Sequence, residues 1–358
     1  MRTTQASAAK NGHVAVLLIN LGTPDAPEPK AIRRYLAEFL SDRRVIEIPP
    51  LLWKPILHGL VLRRRPAQAA HAYGAIWTEA GSPLMANTKA QAAALAARLG
   101  PGVVVDYAMR YGQPAIGDRI AALKAQGCDR ILLAPLYPQY SAATTATALD
   151  RAFSALGAMR WQPTVRTLPP HFADRAYIDA LKRSIEAQLA ALPFTPDALV
   201  ASYHGMPVRT ETLGDPYRAQ CLETTRLLSE ALGREIVVGF QSRFGAAEWF
   251  GPSTEAVLGD LPKGGIKRIA VISPGFSVDC VETLEEIAIR GRESFVQAGG
   301  EDFAYLSCLN ASAPGLDMLE QLVARDLSGW RDEPRPALPA HAPPSRAMAS
   351  ASERSLSQ

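Results

Sequence analysis

The sequence predicts an α/β fold of two parallel sheets, four strands in each, covered by helices on both faces. Eight short apolar runs rich in Val, Ile and Leu punctuate the chain, with helically spaced segments between most of them. The runs fall four and four about a junction near residues 170–195, and 358 residues is the length of two ordinary domains. The expected organisation is an N-terminal domain over 13–170 and a C-terminal domain over 171–330.

Val14 to Asn20 is the first strand, stopped by Gly22-Thr23-Pro24. A helix over Thr88 to Leu99 leads to a strand at Val103 to Ala108, and one over Ala115 to Gln126 leads to Ile131 to Leu136. Thr164 to Leu168 completes the first half. The second half reads as helix Tyr177 to Leu192, strand Leu199 to His204, helix Tyr217 to Leu232, then strands Ile236 to Phe240, Ile269 to Ser273 and Ala304 to Cys308. Ile131 to Leu149 runs much like Ile269 to Glu285: strand, proline, aromatic-Ser, Thr-containing helix. Either the halves are related, with Ala146 where the second copy has Glu282, or two strand-to-helix turns have converged.

Three stretches stand outside this pattern. Residues 1–12 are expected to be flexible and lack the apolar core of a secretory signal. Residues 331–358, with Pro334, Pro336, Pro339, Pro343 and Pro344 among Ala, Ser and Arg, read as a disordered tail. Residues 49–66 look too proline-broken for a long helix and too apolar for a plain surface loop. An apolar lip at a binding cleft, a patch on a membrane surface with Arg63-Arg64-Arg65 near head groups, or a helix packed on the core would each use that run.

Composition narrows the function. A net charge of +3 with scattered Lys and Arg gives no reason to expect nucleic acid. Cys128, Cys221, Cys280 and Cys308 form no Cys-x-x-Cys pair, which suits reduced thiols and a cytoplasmic location. Asn20-Leu21-Gly22-Thr23-Pro24 has the wrong glycines for a phosphate loop, and no Gly-x-Ser-x-Gly elbow occurs. A dehydrogenase, an NTPase and a serine hydrolase are therefore unsupported.

The chemistry gathers around 268–290. Ile269 to Ser273 is a buried strand, Pro274-Gly275 breaks it, and Val281 onward is amphipathic. At about 100° per residue, Asp279, Glu282, Glu285 and Glu286 share one arc, opposite Val281, Leu284, Ile287 and Ala288. Such carboxylates either complement the helix dipole in solvent or receive a cation, since like charges four apart repel mildly. His204 ends another apolar strand and is followed by Gly205, which lets the backbone turn sharply where α/β sheets collect ligands. A neutral imidazole binds divalent iron, cobalt or zinc and also moves protons.

Several short motifs occur in order over roughly 14–310: Asn20-Leu21-Gly22-Thr23-Pro24, Gly81-Ser82-Pro83-Leu84, Met109-Arg110-Tyr111, Tyr137-Pro138-Gln139-Tyr140-Ser141, Ser202-Tyr203-His204-Gly205-Met206-Pro207, Asp215-Pro216-Tyr217, Gln241-Ser242-Arg243, Trp249-Phe250-Gly251-Pro252, and Ser273-Pro274-Gly275-Phe276 through Glu282-Thr283-Leu284-Glu285-Glu286. Together they resemble the ferrochelatase family. The resemblance implies two Rossmann-like domains of the chelatase type and insertion of Fe2+ into protoporphyrin IX to give protohaem and two protons. Both are substrates, and no tightly bound cofactor is implied. The rival expectations are a coproporphyrin or other tetrapyrrole chelatase, and a non-catalytic haem or porphyrin carrier.

Position by position, the resemblance implies His204 and Glu282 as the catalytic, iron-binding pair, with Asp279 and Glu286 on an acidic metal track. Leu21, Arg110, Tyr111 and Trp249 would face the porphyrin, Tyr73 and Ser82 flank it, and 49–66 would be the lip through which porphyrin enters, touching the inner membrane peripherally. His204 would accept pyrrole protons from a bent macrocycle; which of His204 and Glu282 holds the metal stays open. Three departures bear on this. Cys280 stands where some relatives carry His, Arg290 shortens the track, and Ala142 replaces a cluster ligand with no Cys after Cys308, so no [2Fe–2S] cluster is expected.

Overall fold

The computed structural model describes residues 13–331 except Phe244 and Ala246, so the expectations for 1–12 and for the tail after Arg331 lie outside the described residues. Strands β1 (His13–Gly22), β2 (Val103–Tyr111), β3 (Cys128–Pro135) and β4 (Thr164–Thr167) form one parallel sheet in the order β2-β1-β3-β4. Strands β5 (Ala198–His204), β6 (Ile236–Gln241), β7 (Arg268–Ile272) and β8 (Asp302–Tyr305) form the other, in the order β6-β5-β7-β8. The two orders are the same four steps along the chain. The internally similar runs thus occupy equivalent third strands, β3 and β7.

Burial of both faces of β1 explains why Val14 to Ile19 contains no polar residue. Ala15, Leu17 and Ile19 face one core with Ile116, Ile120 and Ala148. Val14, Val16 and Leu18 face another that includes Leu199, Ala201, Tyr203, Ala270 and Ile272 of the second sheet. That second core is continuous between the two halves. Helix Ala313–Asp326 reinforces it from outside, with Asp317 and Glu320 accepting from Arg98 on helix Pro83–Leu99.

Two sequence expectations are corrected here. The run 49–66 is helical from Pro50 on: Pro50–Ile56, a π-helical turn Leu57–Val61, then Leu62–Ile76. Pro66 removes the amide that would bond Leu62 O, and Arg33 donates to that carbonyl instead at 2.8 Å. At Pro55 the corresponding carbonyl belongs to Leu51, which is 90% exposed and so lies within reach of solvent. Trp53, Leu57 and Leu62 pack inward, and the Trp53 indole donates to Leu40 O at 2.6 Å. Leu51, Leu52, Ile56 and Leu60 face outward.

The last strand is Asp302–Tyr305 and not Ala304 to Cys308. Its partner β7 runs out after Val271 pairs with Tyr305, and the apolar Leu306 and Leu309 then fill the core from a loop. Apolarity marked burial there, not extension.

Candidate active site

The carboxyl ends of the strands converge where the two halves meet. In the first sheet β1 and β2 end together: Gly22 pairs with Tyr111, at φ +113, and a Cβ on it would lie 1.9 Å from Tyr111 O. Only glycine allows that approach. In the second sheet His204 pairs with Gln241 at the tips of β5 and β6, and the Gly205 amide donates to Gln241 O at 2.7 Å. A Cβ on Gly205 would come within 2.5 Å of the same oxygen. The His204 imidazole is half-buried and makes no hydrogen bond to another described side chain.

The acidic segment differs from a single helical arc. Asp279 precedes the helix, Val281–Thr283 is one α-turn, and Leu284–Gly291 is π-helical. In a π-helix residues five apart face each other, and Glu285 accordingly takes Arg290 at 2.9 Å. That largely buried carboxylate is committed to the exposed Arg290. Glu286 accepts from the Ser242 amide at 2.8 Å, from the Ser242 hydroxyl, and from Gln241 Nε2 at 3.4 Å. Ser242 has φ +64, and this left-handed turn lets one residue offer both its donors.

Asp279 is almost fully enclosed. One oxygen accepts from the Tyr305 hydroxyl at 2.7 Å, the Thr283 hydroxyl at 3.2 Å and the Cys308 amide at 3.2 Å; the other accepts from Asn310 Nδ2 at 2.6 Å. Among the described residues no three of His, Cys, Asp or Glu converge as a metal-ligand group. The four-residue metal set is therefore not drawn together, because the carboxylates of Asp279 and Glu286 are turned onto protein donors.

Glu282 is half-buried beside the Cys280 thiol and the Tyr35 and Tyr73 hydroxyls. Burial pushes both phenols well above their ordinary pKa, and the Glu282 charge adds to it. Burial, then Glu282, pushes the Cys280 thiol up as well, so it stays protonated and a poor metal ligand at neutral pH.

Across from Glu282, Leu21, Tyr73, Tyr111 and Val281 belong to one apolar cluster, which ties the first half to the start of the acidic helix. Arg110 and the Tyr111 hydroxyl both donate to Asp42, the latter at 2.8 Å, and Thr147 joins them. Burial alone would raise the Asp42 pKa, but bonds from Thr147, the Arg44 amide, Tyr111 and the Arg110 charge hold it below the usual value. Asp42 was not apparent from sequence, since Ser41-Asp42-Arg43-Arg44 looks like an ordinary surface turn.

Trp249 is half-buried, with its ring 3.5 Å from the place a Gly205 Cβ would take; its buried indole N–H has no partner among the described residues. Ser82 is the N-cap residue of Pro83–Leu99 and makes no side-chain cap bond; beyond it Leu84 and Met85 pack on Val278 and Cys280. Its place is therefore in the wall behind the acidic turn. The remaining motifs join the halves: the Ser141 hydroxyl and Ala142 amide donate to Asp215, the Tyr140 amide to Gln220, and Gln139 to Thr224.

With this geometry in view, comparison with known proteins is decisive. Residues 13–327 match the Ferrochelatase family model. The chain belongs to the ferrochelatase family. It is 53% identical over 326 residues to the Ferrochelatase of Mesorhizobium japonicum, spanning 89% of this chain and 92% of that protein. With the Ferrochelatase of Rhizobium meliloti it shares 53% over 334 residues, 91% of this chain and 98% of the other. Among solved structures, SirB from Bacillus subtilis with Fe3+ superposes with a TM-score of 0.53 at 14% identity, covering 89% of this chain and 97% of SirB. The cobalt complex of the sirohydrochlorin chelatase SirB from Bacillus subtilis subspecies spizizenii gives 0.51 at 11%, with the same coverage. At those identities the likeness is one of fold, that of two four-stranded parallel sheets.

Proposed function

We propose that this ferrochelatase-family chain inserts Fe2+ into protoporphyrin IX, giving protohaem and two protons. The observation that carries the reading is the meeting of the His204 strand tip with the Glu282 turn, in a chain that matches proteins named Ferrochelatase over nine-tenths of its length. His204 and Glu282 are proposed as the pair that receives iron and pyrrole protons. An imidazole with no side-chain partner among the described residues suits the proton acceptor, and a half-buried carboxylate offsets the metal's charge.

Leu21, Tyr73, Tyr111 and Trp249 are proposed to contact the macrocycle, with Arg110 fixed on Asp42 at its edge. Glu286, held by Ser242, stands behind Glu282, while Asp279 anchors the turn. The exposed face Leu51, Leu52, Ile56 and Leu60, next to Arg63 and Arg64, is proposed as the lip and the contact with a membrane surface. Among the described residues no helix is long and apolar enough to cross a membrane. Ala142 at the place of a cluster ligand, with no Cys after Cys308 in the sequence, favours a chain without a [2Fe–2S] cluster, to be checked by the absence of its charge-transfer absorption.

The test is anaerobic incubation of the purified chain with Fe2+ and either protoporphyrin IX or coproporphyrin. Protohaem formed catalytically from protoporphyrin is expected. Preference for coproporphyrin would move the substrate, and stoichiometric binding without metalation would make the chain a carrier.

A further inference from the structure

We propose that Gln241 is the positioning residue of the iron-insertion reaction: through one residue it sets the separation of His204 from Glu282. The inference rests on the functional reading above and deepens it.

The two sheet elements that carry the pair part company before reaching it. The β5–β7 ladder ends at Ala201 opposite Ile272, three residues short of His204. At about 3.3 Å per residue, some 10 Å of β5 runs on beyond its last rung with β7. Glu282 lies ten residues past Ile272, after the Pro274-Gly275 break. Strand β6 is on the far side of β5 from β7, with no ladder to β7 at all.

Gln241 spans this opening. Its carbonyl accepts from the Gly205 amide at 2.7 Å, which pins the backbone beside His204. Its Nε2 donates to the Glu282 carbonyl at 2.7 Å and leans towards Glu286 at 3.4 Å. The amide cannot turn over without loss. Its Oε1 accepts from the Ser202 hydroxyl at 2.7 Å, and Ser202 is itself bonded to Thr254 Oγ1 at 2.8 Å. Gly239 allows Thr254 that close, since a Cβ there would lie 2.8 Å from its Cα. Thr254, Ser202 and Gln241 are buried, and their hydrogen bonds run in one row to the backbone of the half-buried Glu282.

The test compares the full chain with Gln241→Leu, Gln241→Glu and Ser202→Ala, measuring anaerobic iron insertion and thermal melting. Gln241→Leu is expected to lower kcat about 30-fold or more with KM for porphyrin changed less than about threefold, since misplacement costs chemistry before binding. Ser202→Ala, which frees the amide to flip, is expected to lower kcat about three- to tenfold. Gln241→Glu supplies a readout that structure alone would not move. A buried acid beside Glu286 has a raised pKa and donates only when protonated, so its activity relative to wild type should rise about fivefold or more from pH 8 to pH 6.

A folded Gln241→Leu with kcat within about threefold of wild type overturns the proposal, as does a flat relative pH profile for Gln241→Glu. If Gln241→Leu melts below the assay temperature, the other two variants decide. A wild-type chain that inserts no iron defeats instead the functional reading on which the proposal stands.

Discussion

Replacing Asp279 by Asn separates an anchor from a metal ligand. Its two oxygens accept four hydrogen bonds, from Tyr305, Thr283, the Cys308 amide and Asn310. In the better orientation the new NH2 faces the Asn310 NH2, so one bond is lost and two donors are left opposed. A bond to an ionised acceptor is worth about 1.5–3 kcal/mol and a stranded buried donor costs about 1–3 kcal/mol, giving a destabilisation of about 3 kcal/mol. For a chain of 358 residues that lowers Tm by about 4 °C. The double exchange Asp279→Asn with Asn310→Asp restores donor facing acceptor, and the carboxylate introduced at position 310 still accepts the residue-279 amide now bound at 2.8 Å. It should recover most of the Tm and of the activity. Scanning calorimetry and iron insertion on the three chains test this. Asp279→Asn with unchanged Tm but slowed iron uptake, not repaired by the exchange, would refute the anchor and restore Asp279 to the metal track.

His204→Ala should reduce iron insertion about a thousandfold or more while moving Tm by less than about 2 °C, because the imidazole bonds to no other described side chain. His171 gives a pH dependence of stability. Burial, opposed by the nearby Asp174 charge and a bond to the Pro169 backbone, lowers its pKa from 6.5 to about 4. Because the unfolded chain takes up the proton first, the contribution is complete above pH 6.5 and is lost as pH falls towards 4, up to about 3 kcal/mol. His171→Phe, which keeps the edge contact with Tyr177, should flatten urea stability across that window. Leu51→Glu with Leu52→Glu, both exposed side chains, should weaken binding to anionic vesicles about tenfold or more and leave Tm unchanged.

Much of the fold was legible because a parallel strand buried on both faces must be apolar along its whole length. β1, β3, β5 and β7 are such runs, and helix Tyr217–Leu232 falls on its expected residues. β8 was misplaced because Leu306 and Leu309 are buried from a loop, and burial alone cannot tell a strand from a coil. A core-packed helix through Pro55 and Pro66 was one of three readings and was not singled out, because Arg33, distant in sequence, satisfies the carbonyl that Pro66 frees.

The places of His204 at the tip of β5 and of Glu282 in the turn after β7 were legible from the strand pattern. Asp42, Gln241 and Tyr35 were not, since a buried hydrogen-bond acceptor or hub is defined by what reaches it across the sheets. The shared arc of carboxylates failed for a local reason: Leu284–Gly291 is π-helical and Asp279 lies before the helix, so the backbone turns Asp279, Glu285 and Glu286 onto separate groups of partners.

The most direct test of a His204–Glu282 iron pair is X-ray absorption of the anaerobic chain loaded with Fe2+ in the absence of porphyrin, alongside His204→Ala and Glu282→Ala. One imidazole nitrogen and carboxylate oxygen should appear around iron, with the imidazole scattering lost in His204→Ala and the carboxylate contribution reduced in Glu282→Ala. An all-oxygen shell that neither substitution alters would place the iron elsewhere and contradict the account.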